Sequence, residues 1–120
     1  MSPRKQTSFL RPPCTIDELI ALCEKHGDRR ISMHFATSKA GCCDYGTKDF
    51  RSRYFPGRTQ VQLRELIRFI THNHYYWYDV LQVVAYKLVA LGAVSTADDI
   101  SYPADRWRKR LPALETAEVG

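Results

Sequence analysis

The sequence predicts a small α+β fold, a two-stranded β-hairpin packed with about four helices, with a helical C-terminal half. Three observations predict it. Apolar residues recur at three- and four-residue spacing over 16–23 and 63–70, as in helices with one buried stripe. Between these segments the period changes to two at Arg30–Phe35, as in a strand with one buried face. A third segment, Val80–Leu91, is apolar on most of its circumference and is read as a core helix. With 120 residues, 44% apolar and 26% charged, the chain has the size and composition of one folded domain. The expected organisation is a flexible basic arm at 1–13, a single globular domain at 14–112 and a frayed tail at 113–120.

Each element has its own signals. Thr15 and Glu18 stand at capping-box spacing, so a helix is expected at about 15–26. Ile16, Leu19, Ile20 and Cys23 form its stripe, Lys25 and His26 suit the negative end of its dipole, and Gly27 suits a left-handed stop. In the strand that follows, Ile31, Met33 and Phe35 face inward. Ser38–Asp49, with Gly41, Cys42, Cys43 and Gly46, reads as a loop. Phe50–Phe55 reads as the second strand, closed by the Pro56-Gly57 turn.

The next helix is expected from Thr59, with Gln62 completing a second capping signature. Leu63, Leu66, Ile67 and Ile70 make its core stripe, and Gln60, Arg64, Arg68 and Thr71 fall opposite. His72–Tyr78 is a ring-crowded connection. Asp79 with Gln82 gives a third capping signature before Val80–Leu91, and Gly92 ends that helix. After a polar turn at Ser95–Asp99, Pro103 suits the first turn of a last helix reaching about Leu111. Trp107 and Leu111 are expected to dock it, leaving Arg106, Lys109 and Arg110 outside.

Nothing in the sequence reads as an address. Met1–Pro13 lacks the apolar core of a secretory signal. The longest apolar run, Val80–Val94, is interrupted by Gln82 and Lys87 and is too short to span a bilayer. A cytoplasmic location and no membrane partner are therefore expected, with Cys14, Cys23, Cys42 and Cys43 as free thiols.

The net charge of +5 is bunched. Arg4, Lys5 and Arg11 make the first cluster. Lys48, Arg51, Arg53, Arg58, Arg64 and Arg68, against Asp49 and Glu65, make the second. Arg106, Arg108, Lys109 and Arg110, against Asp105, make the third, whereas 69–104 is acidic. Bunched positive charge points to a polyanionic or acidic partner.

The segment Tyr45–Arg58 carries the most functional information, because cations alternate with aromatic rings there. Arginine and lysine neutralise phosphates, and rings stack on unpaired bases. Arg51, Arg53, Tyr54, Arg58, Arg64 and Arg68 are thus the expected contacts of a nucleic acid or ribonucleoprotein, joined by Arg106, Lys109 and Arg110 if folding brings them alongside. The competing reading is an edge strand whose charges prevent aggregation. The ring run Tyr75-Tyr76-Trp77-Tyr78 suggests a second class of function, a small regulator or inhibitor that binds an acidic protein surface, with Trp77 as its hot spot. Four consecutive rings cannot all point inward, so one or two should be exposed.

Other chemistries find less in the sequence. His72 and His74 are two residues apart, and Cys42 and Cys43 are adjacent; neither is a zinc-ligand spacing. A thiol enzyme needs Cys42 or Cys43 as a thiolate beside a histidine, which no spacing here enforces. There is no phosphate-binding glycine loop, nucleophile elbow or carboxylate pair. No cofactor is expected, and the balance is against an enzyme. A helix-turn-helix fits poorly, because the second helix of the pair is apolar where a recognition helix is polar.

Overall fold

The computed structural model describes residues 15–97 together with Ile100, Ala104, Leu111 and Pro112. Helix α1 (Ile16–Lys25) starts where its capping box places it. Thr15 Oγ1 accepts from the Glu18 N–H at 3.1 Å, and Glu18 Oε1 accepts from the Thr15 N–H at 2.9 Å. Two backbone donors that the helix leaves free are so satisfied. Leu19 and Cys23 are buried, and Ile16 and Ile20 flank them.

Gly27 follows the helix, but its φ is not in the left-handed region, where Gly41, Gly57 and Gly92 lie. It is needed for close approach. A Cβ there would stand 3.0 Å from the Cys23 carbonyl oxygen and 3.2 Å from Arg64 Cβ. Its absence lets the end of α1 touch the helix containing Arg64, whose N–H donates to the Gly27 carbonyl at 3.2 Å.

The β component is a two-stranded antiparallel sheet, β1 (Arg30–Ser32) with β2 (Gln60–Gln62), in the register Arg30↔Gln62, Ile31↔Val61 and Ser32↔Gln60. The fold class expected from the sequence is present, but two elements are reassigned. The first strand ends at Ser32, whose Oγ accepts from the Phe35 N–H at 3.0 Å, and a short π-helix (Phe35–Lys39) follows. The second strand is not Phe50–Phe55. Phe50–Tyr54 is the end of α2 (Asp44–Tyr54), with Phe55 as its C-cap, and the loop expected at Ser38–Asp49 is mostly helical. Phe50 and Tyr54 satisfy both readings, since residues four apart share a face of a strand and also of a helix. The helix start was hidden because its cap is a thiol: Cys43 Sγ accepts from the Gly46 N–H at 3.2 Å.

Helix α3 (Leu63–Thr71) begins later than Thr59, because Gln60–Gln62 are taken by the sheet. Gln62 is its N-cap, and its N–H donates to Glu65 Oε1 at 2.8 Å. Helix α4 (Trp77–Ala90) begins three residues before Val80, so Asp79 lies in its first turn and is not the cap. It ends as expected. Gly92 takes φ +77°, its N–H donates to Val89 at 2.9 Å, and the Ala93 N–H donates to Leu88 at 2.8 Å. Those two bonds form a Schellman motif.

The core lies where α3 packs on α1 and α4. Leu63, Leu66, Phe69 and Ile70 meet Val80, Leu81, Val84 and Leu88, with Leu19 and Cys23 beneath. Ile100 and Ala104 are buried in the same cluster, and the Asn73 N–H donates to the Pro112 carbonyl at 2.8 Å. The arm 1–13, the tail 113–120 and the last cationic cluster, with Trp107, lie outside the described residues. Among the described residues no helix is long and apolar enough to cross a membrane.

Candidate nucleic-acid interface

Helix α2 has no fully buried residue. It is held by rings on its inner side. Phe50 meets Phe69 of α3 and Tyr76 with ring centroids 4.9 and 5.5 Å apart, and Tyr54 meets Phe69 at 5.1 Å. These are tilted or edge-to-face contacts of the kind aromatic quadrupoles favour. His74 closes the cluster. Its Nδ1 accepts from the Tyr76 N–H at 3.1 Å, so Nε2 carries the proton and donates to the Tyr54 hydroxyl at 2.8 Å.

The outer side of α2 presents Tyr45, Lys48, Ser52 and Arg53. Between them, Asp49 Oδ2 accepts from the Tyr76 hydroxyl and from Arg53 Nε, the latter at 2.9 Å. The Tyr76 hydroxyl, with help from Arg53, holds the Asp49 carboxyl below its ordinary range. Burial and the Asp49 charge push the Tyr76 phenol upward. The first turn of α2 also rests on this ring, since a Cβ at Gly46 would lie 3.8 Å from it. Tyr45 and Tyr75 are the chain neighbours of that contact. Both project into solvent, 80% and 88% exposed, and Tyr78 is 54% exposed.

The residues expected at a binding face are dispersed. Arg53 is exposed on α2. Arg58 is exposed but forms a bidentate pair with Glu65, at 3.1 and 2.8 Å, and holds the Glu65 carboxyl low. Arg64 and Arg68 are exposed along α3. Arg64 Nε donates to the Gly27 carbonyl at 3.3 Å, and the Arg68 guanidinium lies 4.7 Å from the Phe69 ring centre.

Three expected contacts are corrected. Arg51 turns inward and donates to the Arg58 carbonyl at 3.0 Å. Tyr54 is partly buried in the ring cluster, its hydroxyl engaged by His74. Trp77 is fully buried, its Nε1 donating to the Ile70 carbonyl at 2.7 Å, so it presents nothing to a partner. Arg106, Lys109 and Arg110 lie outside the described residues.

The structure adds Tyr45, Lys48, Tyr75 and Tyr78 to the surface. A helical reading of 44–54 finds the first two, because Tyr45, Lys48 and Ser52 then share a face. The expectation that some of the ring run is exposed is met by Tyr75 and Tyr78, flanking the buried Trp77.

Burial, the Asp79 charge and Cys43 push the Cys42 thiol up to about 11. It is protonated at neutral pH, the reverse of what a nucleophile needs. Among the described residues no three His, Cys, Asp or Glu side chains are grouped to hold a metal. Seven of the fourteen residues of α4 are buried, Trp77 and Leu88 marking its ends in the core.

A scan against protein-family models finds no match, and searches of the curated proteins and of the solved structures find none either. The functional reading therefore rests on the residues of this chain.

Proposed function

We propose that the protein is a non-enzymatic nucleic-acid-binding module that holds unpaired bases against α2 and the start of α4. The observation that carries this reading is the exposure of Tyr45, Lys48 and Arg53 on α2, and of Tyr75 next in the chain to Tyr76, which meets Asp49 of α2. An exposed tyrosine offers a flat π-face to any base, worth about 1–3 kcal/mol per stacked base. Lys48 and Arg53 supply the charge for the adjoining phosphates, and Arg64 and Arg68 are further exposed cations on α3. The Arg53–Asp49 pair is no obstacle, since an exposed ion pair is worth about 0–1 kcal/mol and exchanges readily for phosphate. A ribonucleoprotein in a reducing, cytoplasmic setting fits the same reading, with Cys23, Cys42 and Cys43 as free thiols.

One observation favours a second reading, a small protein-binding regulator. Tyr78 and Tyr86 are exposed eight residues apart on α4, with Gln82 between them on the same side. Exposed tyrosines are common binding hot spots.

Fluorescence anisotropy with a labelled single strand of about 12 nucleotides, within the usual site size, separates the two. The first reading predicts binding whose log affinity falls linearly with log salt. Combined Lys48→Ala, Arg53→Ala, Arg64→Ala and Arg68→Ala changes should flatten that slope. Absence of binding at low salt refutes it, and capture of a defined protein that is lost on Tyr78→Ala with Tyr86→Ala favours the second.

A further inference from the structure

The two faces of the β-sheet differ. Ile31 and Val61 are paired and turn toward the core, where Ile31 is buried. The flanking pairs, Arg30 with Gln62 and Ser32 with Gln60, therefore lie on the opposite face. An open recess of about 440 Å³ is lined by Arg30, Arg58, Thr59, Gln60 and Gln62. Apart from Gly57 and Val61, every described residue of its lining is polar. Two are cations, and none is a carboxylate or an aromatic ring.

One of the two cations is held in place by the fold. Arg58 donates to Glu65 at 3.1 and 2.8 Å, and its guanidinium lies 5.7 Å from the Phe55 ring centre. Its backbone N–H donates to the Phe55 carbonyl at 3.0 Å. A cation fixed in this way loses little freedom when a ligand arrives. Glu65 does not itself line the recess. The other cation, Arg30, is exposed and makes no ion pair among the described residues.

We propose that this recess binds a small phosphorylated sugar, with the phosphate received by Arg30 and Arg58 and the hydroxyls by Thr59 and Gln60. Guanidinium groups match phosphate oxygens in geometry and charge. Threonine hydroxyls and glutamine amides both donate and accept, as sugar hydroxyls require. Two cations without a carboxylate suit the nearly double charge of a phosphomonoester better than the single charge of a sugar acid. With no ring in the lining there is no platform for a base, which sets the recess apart from the tyrosines near α2. Its volume falls within the range of small-molecule sites, about 300–1,000 Å³. It holds about fifteen waters at roughly 30 Å³ each, and a pentose phosphate has a similar number of non-hydrogen atoms. The site uses none of the residues assigned to the nucleic-acid interface and does not depend on that reading.

Amide chemical shifts of the full chain, followed during titration with ribose 5-phosphate, test the proposal. Saturable shifts are expected at Arg30, Arg58, Thr59 and Gln60. Ribose and inorganic phosphate, each lacking one part of the ligand, should bind at least about tenfold more weakly. Ribonate, with one carboxylate in place of the phosphate, should also bind more weakly than ribose 5-phosphate. Arg30→Gln should reduce ribose 5-phosphate affinity by about tenfold, as for one lost hydrogen bond to a charged group, while the spectrum stays dispersed. If that variant does not fold, the comparison of the four ligands on the unmodified chain decides. Affinity for inorganic phosphate equal to that for ribose 5-phosphate would mean an adventitious ion only, and would overturn the proposal. So would equal affinity for ribose or ribonate, no saturable shift, shifts centred on Lys48 and Arg53, or undiminished binding by a folded Arg30→Gln chain.

Discussion

Helices α4 and α2 were made by different means. In α4 burial decides everything: Trp77, Val80, Leu81, Val84 and Leu88 enter the core, and a left-handed glycine stops the chain. In α2 no residue is fully buried, and Gly46 and Thr47 are poor helix formers. It forms because a thiol caps it, two of its rings, Phe50 and Tyr54, lean on Phe69 and Tyr76, and Asp49 reaches the Tyr76 hydroxyl. A helix held by its neighbours keeps its polar side free. That is why the candidate interface lies on α2 and the stability on α4.

The largest effect is expected at Trp77. Trp77→Ala should cost about 3–5 kcal/mol in urea unfolding, through the cavity and the stranded Ile70 carbonyl. Tyr75→Ala, two residues away, should stay within about 0.5 kcal/mol. Similar losses would mean that the ring run is not divided into core and surface.

Gly92→Ala comes next, at about 1–2 kcal/mol for a side chain forced into the left-handed region. Cys43→Ala should be milder, about 1 kcal/mol or less for a lost cap, and Cys43→Ser, which keeps an acceptor, should restore the loss. If serine fails to do so, the thiol is not what starts α2.

Titration gives the smallest effects, and Asp49 and Cys42 differ in sign. The Asp49 carboxyl is held low by Tyr76 and Arg53, so its stabilisation is present above the ordinary carboxylate range. It is lost as pH falls through the folded value. Asp49→Asn should remove that acid-side loss. The Cys42 thiol, between α2 and α4, is raised from 9.0 to about 11. The unfolded chain ionises first, so stability should fall as pH rises from 9.0 toward 11. Cys42→Ala should lessen that alkaline loss in the same urea experiment, leaving the part owed to the raised Tyr76 phenol.

How much was legible in the sequence follows the same division. The capping box of α1, the stripe of α3 and the apolar girth of α4 are local patterns, and each matches the structure. The α+β class survives because β1 is local too. Helix α2 was not legible, since its determinants are contacts between residues far apart in the chain: Gly46 with Tyr76, Asp49 with Tyr76, Phe50 with Phe69. The candidate site inherits that error. Once Phe50–Tyr54 is helical, Arg51 and Tyr54 turn inward and Tyr45 and Lys48 turn out. Trp77 was misplaced for a simpler reason, because α4 starts one turn early and takes it into the core.

The most direct test of the account is single-strand affinity, measured by anisotropy across a salt series, for the unmodified chain and for Tyr45→Ala with Tyr75→Ala. Affinity should drop by about tenfold or more, as for lost stacking. The salt slope should be unchanged because the cations remain, and unfolding should be unaltered. Unchanged affinity in a folded double variant, or no salt-dependent binding at all, would contradict it.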